Sequence, residues 1–513
     1  MKVIKQITLF LFVIAFADFI AAQGPIEFNI GPPLEYPSNN VITSLFVKDS
    51  SHYYILRLGN KACFDCKSGN IDAYFEKFDK NLQHTESIPI KIDPSYQLRK
   101  PLPKKIFLVN NHIYVFADEV FYASKSTRSY LLMFDMNGRL VKDPLLLGEI
   151  HKINIPSNNV FESEPNDFFS LSLYETNSSS QFLYTQSFPP GGSDKTTINI
   201  KVFNTDFTSV WEKQLSLPSP SDYTEFSQII LNGEEVFFIL SFHPPLEDKI
   251  YYLVTYNNIT DHLAYYDFNF EDKKIEEISV KMLESEAISI IGLFSEPEED
   301  NLISGMFFPL FDKENQTLSA RGSSPIKTGQ FKTITKKDLI NLHTEKMHQR
   351  ANGDVVYLAE LKKQEFNTFT DSEGKFHLSS YYHSNDIKIM YFKNDGSLQW
   401  QIWIPKKQYL VEPELLGFFD LIINETLFII YNDSKKNLYV HDPDRIKKMS
   451  NKFVLTVALV DLETGEYSKR LLTQNENRKG AFVFKKAYTY YTGKNSLIMV
   501  DYKNGLRLAK ITF

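Results

Sequence analysis

The sequence predicts an all-β chain folded as a β-propeller of four-stranded antiparallel blades. Three observations carry that reading. Apolar strands that end in an acidic or amide turn and resume as a second strand recur along the chain. The composition suits strands, with 42 Phe and 28 Tyr against 21 Gly in 513 residues, because aromatic side chains fit pleated, half-buried surfaces. The length also exceeds the roughly 250–300 residues at which a single non-repetitive core stops growing, whereas a propeller grows by adding blades.

The recurring unit is a hairpin, and eight can be read in order. Ala73–Ile90 turns after Asp79, Tyr130–Leu147 at Asn137-Gly138, Ile198–Leu217 near Asn204, and Leu263–Val280 near Asp272. Ser304–Ala320 turns after Asp312, Ile389–Gln408 at Asn394-Asp395-Gly396, Leu455–Leu472 at Thr464-Gly465, and Ser496–Phe513 at Asn504-Gly505. Asn-Gly and Asp-Gly tolerate the positive φ that tight hairpins need. Two further strands usually lie between hairpins, such as Lys105–Asn110 with His112–Asp118, or Phe226–Leu231 with Glu235–Phe242. Two strands plus a hairpin make one blade, at roughly 40–50 residues or more with long loops. Eight hairpins favour eight blades; seven is the alternative, since the fifth unit is irregular. The last unit looks one strand short, and an N-terminal strand, Ile26–Ile30, is expected to complete it and close the ring.

The chain divides into a signal peptide over 1–22, an extended Pro/Gly-rich lead-in over 23–40, and one propeller domain over 41–513. Lys2 and Lys5 precede the apolar run Ile7–Ala17, and Ala21-Ala22 stands before Gln23, the pattern of a cleaved secretory signal. The run is too short to span roughly 30 Å of hydrocarbon, so the chain is expected to be secreted or periplasmic, with no transmembrane segment once the signal is removed. An inserted helix is expected near 335–350: Thr335 to Asp338 reads as a cap with an early acid, and Leu339, Ile340 and Met347 as a modest apolar face.

Charge and motifs narrow the chemistry. The net charge is −7 with no basic stripe, which excludes nucleic acid as a partner. There is no Gly-rich phosphate loop, no G-x-S-x-G elbow and no HExxH. No catalytic residue, cofactor site or metal site is therefore expected. Cys63 and Cys66, the only cysteines, are candidates for a small disulfide in an oxidising compartment. His343 and His348, placed five apart on the expected helix, would point away from each other and not share a metal. The acidic stretches Glu162–Asp167 and Glu296–Asp300 lack calcium-loop spacing and read as solvated turns. Trp400 alternates with aliphatic residues and reads as core; Trp403, on the opposite face, is the candidate for a binding surface.

The pieces Ile291–Glu296, Ser304–Asp312, Tyr357–Glu360, Asn394–Gln408 and Ile429–Asn437 resemble a group of secreted, functionally uncharacterised β-propeller-like proteins of Bacteroidota. The resemblance implies a bacterial exported protein and carries over no activity or site residue.

The function class that follows is an exported binding or scaffold propeller, acting on an unknown protein or glycan partner through one face of the ring. Two alternatives stay open: a hydrolase or lyase on polysaccharide or peptide with its site at the central channel, and a structural component of the cell envelope.

Overall fold

The structure, a computed structural model, describes residues 26–513 apart from a set of segments, the longest being 59–72, 91–101, 152–168 and 473–485. Cys63, Cys66, the acidic stretch 162–167 and the signal segment 1–22 lie outside the described residues.

Strands pair into eight antiparallel sheets arranged as a ring. Blade 1 is built from residues 41–89, blade 2 from 102–151, blade 3 from 169–218, blade 4 from 224–267, blade 5 from 274–325, blade 6 from 342–404 and blade 7 from 419–471. Blade 8 takes three strands from 489–512 and its outermost from the N-terminal segment Glu27–Ile30. Phe28 pairs with Ile511 and Ile30 with Ala509. The ring is thus closed by the two ends of the chain, as expected from the short last unit, and the register leaves the edge of Arg507–Thr512 covered.

The second strand of each blade explains why this sequence needs a ring. Its side chains alternate between two interfaces, so both faces are buried. In Val355–Thr370 of blade 6, Val355, Tyr357 and Ala359 enter the core shared with blade 5, while Val356 and Leu358 enter the core shared with blade 7. In Glu235–Phe242 of blade 4, Val236, Phe238 and Leu240 face blade 3, and Phe237 and Ile239 face blade 5. The series closes where Tyr53 and Ile55 of blade 1 meet Ile498 and Val500 of blade 8. No blade hides its own apolar faces; each does so against its two neighbours, which is the stacking logic of repeat folds.

The acids that end apolar strands have a structural role. Asp79 Oδ1 accepts the backbone N–H groups of Asn81 and Gln83 at 2.9 and 2.8 Å. Asp135 does the same for Asn137 and Arg139 at 2.9 Å, and Asp461 for Glu463 and Thr464 at 2.9 and 2.8 Å. Each carboxylate satisfies donors that the turn leaves without a ladder partner.

Three expectations are corrected. Leu263–Val280 is not a blade hairpin: it spans the end of blade 4, His262–Asp267, and the opening strand of blade 5, Lys274–Met282. The outer hairpin of blade 4 joins Ile250–Asn257 to His262–Asp267, and Asn257 Oδ1 caps its turn by accepting from Ile259 and Thr260 at 3.0 Å. A connection between blades and a turn within one share polar composition, so the sequence does not separate them. In the last unit, Ser496–Asp501 and Arg507–Thr512 do pair, but as second and third strands, because the fourth is N-terminal.

The inserted helix is also absent. Lys336–Asn341 makes only a short 3₁₀ segment of six residues, and Leu342–Gln349 is the first strand of blade 6. A bulge between Thr344 and Lys346 sets Glu345 out of register. Leu342 and Met347, five residues apart, therefore enter the same core, and their spacing imitates a helical stripe. His343 and His348, opposite Glu360 and Val356, share one strand face for the same reason. Among the described residues, no helix is long and apolar enough to cross a membrane.

Candidate functional site

The first strands of successive blades approach one another around the ring axis, and side chains clasp each to the next. Lys105 Nζ donates to Leu171 O at 3.1 Å, and Tyr174 Oη to Ile229 O at 2.9 Å. Lys281 Nζ donates to Met347 O at 3.0 Å, and Lys346 Nζ sits 3.3 Å from Asp420 Oδ2. His348 Nε2 also meets Asp420. With Gln228 Nε2, which donates to Ile278 O at 3.2 Å between blades 4 and 5, these bonds join inner strands of blades 2 to 7 through backbone carbonyls and one buried acid. They fasten the scaffold.

The distinctive region lies on the face of the ring where the chain crosses from one blade to the next. Blade 6 departs there from its neighbours. Its middle strands, Val355–Thr370 and Phe376–Phe392, run 16 and 17 residues, whereas its first strand begins opposite Leu361. The excess projects as a two-stranded ribbon. A short strand, Gln408–Leu410, pairs with the base of that ribbon at Tyr382–Ser384. Tyr409 stacks on Tyr381 at 5.1 Å between ring centres, and Lys448 Nζ lies 3.4 Å from the centre of the Tyr409 ring.

Under the ribbon is a cavity of about 630 Å³. One wall comes from Lys362, Lys363 and Gln364, another from Tyr382, His383 and Ser384. The crossover between blades 6 and 7 adds Pro413, Leu416 and Gly417, and the crossover to blade 8 adds Lys486. His343, at the start of the bulged strand, completes the rim with Glu414.

Behind these walls runs an alternating chain of charges. Lys486 Nζ bonds Glu345 Oε2 at 2.5 Å, and Lys362 Nζ bonds the other oxygen of the same carboxylate. Lys362 also lies 3.6 Å from Glu360 Oε2, and Glu360 Oε1 accepts from Lys406 Nζ. The order is Lys486, Glu345, Lys362, Glu360, Lys406. The two carboxylates are buried, at 6% and 0% side-chain exposure, while Lys362 and Lys486 are 40% and 44% exposed. Burial acts against ionising Glu345, but its two lysines outweigh that and hold its pKa below the ordinary value. Burial also disfavours the Lys362 ammonium, and Glu360 with Glu345 reverse the balance and raise it.

Lys406 anchors the inner end. Its ammonium donates to Glu360 Oε1, to Ser384 Oγ at 2.9 Å and to Gln408 Oε1 at 2.8 Å, which spends all three hydrogens. Burial lowers its pKa and Glu360 opposes that shift. The backbone N–H of Gly417 donates to the same two acceptors, Ser384 Oγ at 3.0 Å and Gln408 Oε1 at 2.9 Å. Gly417 adopts φ +81°, which a side chain rarely tolerates. Ser384 Oγ thus accepts twice, and among the described residues no bond takes its own hydrogen, while its side chain lines the cavity. Below lie Asp386, which accepts the Lys406 backbone N–H at 3.1 Å, and Lys469, which donates to Pro405 O at 2.8 Å. Burial raises Asp386 to about 6 and lowers Lys469 to about 8.

Trp403 is not on an exposed surface. It is 4% exposed, packs into the core between blades 5 and 6, and donates its indole N–H to Lys327 O at 3.1 Å. The second face of an edge-proximal strand is solvated in an open sheet, but in a ring it meets the next blade. Trp400 packs in the core of blades 6 and 7, stacked on Tyr391 at 5.4 Å. Apart from His343, the cavity residues belong to no sequence motif. Their one signal is a break in alternation, where Glu360, Lys362 and Lys363 interrupt an apolar strand and Lys406 follows an aliphatic-aromatic one. Among the described residues, no group of acids, histidines or cysteines is arranged to hold a metal ion.

No family model matches the chain, and no curated protein matches it. Similar solved structures include the WD40 domain of SCAP from fission yeast, at 13% identity and TM-score 0.38 over 95% of this chain and 98% of that one. A polysaccharide lyase described as an ulvan lyase aligns at 8% identity and TM-score 0.35 over 88% and 95%. An endo-arabinanase from Bacillus licheniformis aligns at 12% identity and TM-score 0.24 over 71% and 99%. At these scores the likenesses carry no weight; the propeller rests on the strand order and its closure.

Proposed function

We propose that the protein is an exported binding propeller that takes a small polar ligand in the cavity on the crossover face of blades 6 and 7. One observation supports this above the others. The cavity has the size of a ligand pocket, roughly 300–1,000 Å³, and its polar groups are held in place by buried partners. Lys362 and Lys486 are fixed by Glu345, and Ser384 by Lys406 and Gly417. Preorganised groups of this kind reduce the ordering cost of binding. Export rests on the pattern from Lys2 to Ala22, and sequencing of the mature N-terminus is expected to start at Gln23.

The binding reading is tested by a thermal-shift panel of neutral and acidic sugars, amino acids and short peptides, followed by calorimetry on any hit. Gln364→Trp, at an exposed position on the cavity wall, is expected to abolish binding of that hit while leaving the melting temperature of the free protein unchanged. A panel without a single hit, or a hit that binds Gln364→Trp as well as the parent, would sink the assignment.

A further inference from the structure

The charge chain beside the cavity is incomplete at its outer end. Its inner cation, Lys406, has Glu360 to itself on one oxygen and the carboxylate of Asp386 on its backbone N–H. At the cavity wall two ammoniums, Lys362 and Lys486, share the single carboxylate of Glu345. That carboxylate is buried behind them, whereas both lysine heads reach the cavity. Among the described residues Lys486 bonds only Glu345 of the charged groups, and it retains hydrogens that a ligand oxygen can accept. By contrast Lys363, on the same wall, has the carboxylate of Glu365 at 2.8 Å.

We infer that the cavity recognises a ligand through a carboxylate, which bridges Lys486 and Lys362 opposite Glu345, with the Ser384 hydroxyl donating to a second ligand oxygen. This inference rests on the cavity reading above. The chain sets three ammoniums, Lys486, Lys362 and Lys406, against two carboxylates, so a ligand carboxylate in that position evens the count, and charge-assisted bonds of this kind are the strong ones. The lysines of the lining, Lys362, Lys363 and Lys486, outnumber its one acid, Glu414, so it favours an anion over a cation. Pro413 and Leu416 on the facing wall give an apolar surface for the body of the ligand. The shared chemistry is a carboxylate on a compact polar molecule, whether a uronic acid or the C-terminus of a short peptide.

The test uses the full mature chain and matched pairs of probes: methyl glucuronide against methyl glucoside, and acetyl-Ala-Ala against its amide, titrated calorimetrically. In at least one pair the acid is expected to bind about tenfold or more tighter than its neutral partner, the scale of a charge-assisted bond. That preference should weaken as salt rises. Lys486→Gln should erase it, while Lys393→Gln, in the exposed turn between the outer strands of blade 6, should leave it in place. Whichever pair shows the effect tells the sugar acid from the peptide terminus. Equal affinity within both pairs, no binding by either acid, or a preference that survives Lys486→Gln overturns the inference. A hit in the thermal-shift panel without any acid preference removes the carboxylate and leaves the cavity standing. Silence in both experiments removes both.

Discussion

Buried ionisable side chains cluster around blades 6 and 7, and their cost depends on pH. Asp386 is the clearest case. Burial holds its carboxyl at about 6, above the ordinary 3.8, against the opposing pull of the Lys406 backbone N–H. The folded state therefore prefers the protonated form. Its contribution to stability is complete below pH 3.8 and is lost as pH rises through about 6. Lys469 is the mirror image: burial brings it to about 8, so its contribution is complete above 10.5 and is lost as pH falls through about 8. Near neutrality both groups are charged at a cost. We expect Asp386→Asn to gain stability relative to the parent between pH 4 and pH 7, by up to about 3 kcal/mol at one pH unit per roughly 1.4 kcal/mol. Urea midpoints of both proteins across that range measure the difference. A difference that stays flat, or shrinks as pH rises, would contradict the assignment.

Residues that look alike in the sequence have different fates because of their partners. Asp79, Asp135 and Asp461 end apolar strands and cap turns with backbone N–H groups. Glu76 also sits on a strand, but is fully enclosed, accepting from Arg57 Nε at 2.6 Å, His84 Nε2 at 2.8 Å and Ser87 Oγ at 2.6 Å. The first group answers a local need of the turn; the second is a buried acid that persists because both of its oxygens are hydrogen-bonded.

At the scale of the element, blade 6 shows how local irregularity places a site. The bulge at Glu345 breaks the alternation of Leu342–Gln349. It frees Glu345 to receive Lys362 and Lys486 instead of pairing across the sheet. A second irregularity, between Glu360 and Lys362, shifts the register of the two long strands where the ribbon leaves the blade. Beyond it the strands turn polar, as their second partners fall away. Bulges next to functional sites re-aim side chains in this manner. The ribbon tip carries Phe366, Phe376 and Leu378 in exposed positions. A two-stranded ribbon is marginal on its own in water, and its base is secured by Gln408–Leu410 and the stack of Tyr381 on Tyr409.

At the scale of the whole molecule, stability comes from interfaces between blades, so the last interface to form depends on the N-terminal strand. Glu27–Ile30 pairs along Arg507–Thr512, and Ile26, Phe28 and Ile30 pack against the core of blades 7 and 8. A chain beginning after Leu34 would lose those contacts and expose the edge of the last blade. We expect a loss of about 3–5 kcal/mol, from three half-buried apolar side chains and a row of ladder bonds, together with edge-to-edge association. Scanning calorimetry and light scattering on the truncated chain report both. An unchanged melting temperature and a clean monomer would show that the ring does not need this closure.

Much of this architecture could be read from the residues. Apolar runs in the second strands, aromatic enrichment and repeated acid-ended strands follow from requirements within a blade, so they leave a trace in the linear order. Even the closure by Ile26–Ile30 was legible, because the final unit lacked one strand. The misreadings share a cause: Leu263–Val280 and 335–350 are connections and bulges whose identity depends on what pairs with them. Trp403 faced the same difficulty, since an outward face becomes an inner one only when the next blade is in place. The cavity is the extreme case. Lys362, Glu345, Lys486 and Lys406 come from separate stretches of the chain, and as isolated lysines and glutamates they are indistinguishable from solvated surface charges. Sequence determines which segments become strands and how they alternate, because that is local stereochemistry and hydrophobic periodicity. Only the folded ring brings two ammoniums onto one buried carboxylate, because proximity between blades is a property of closure.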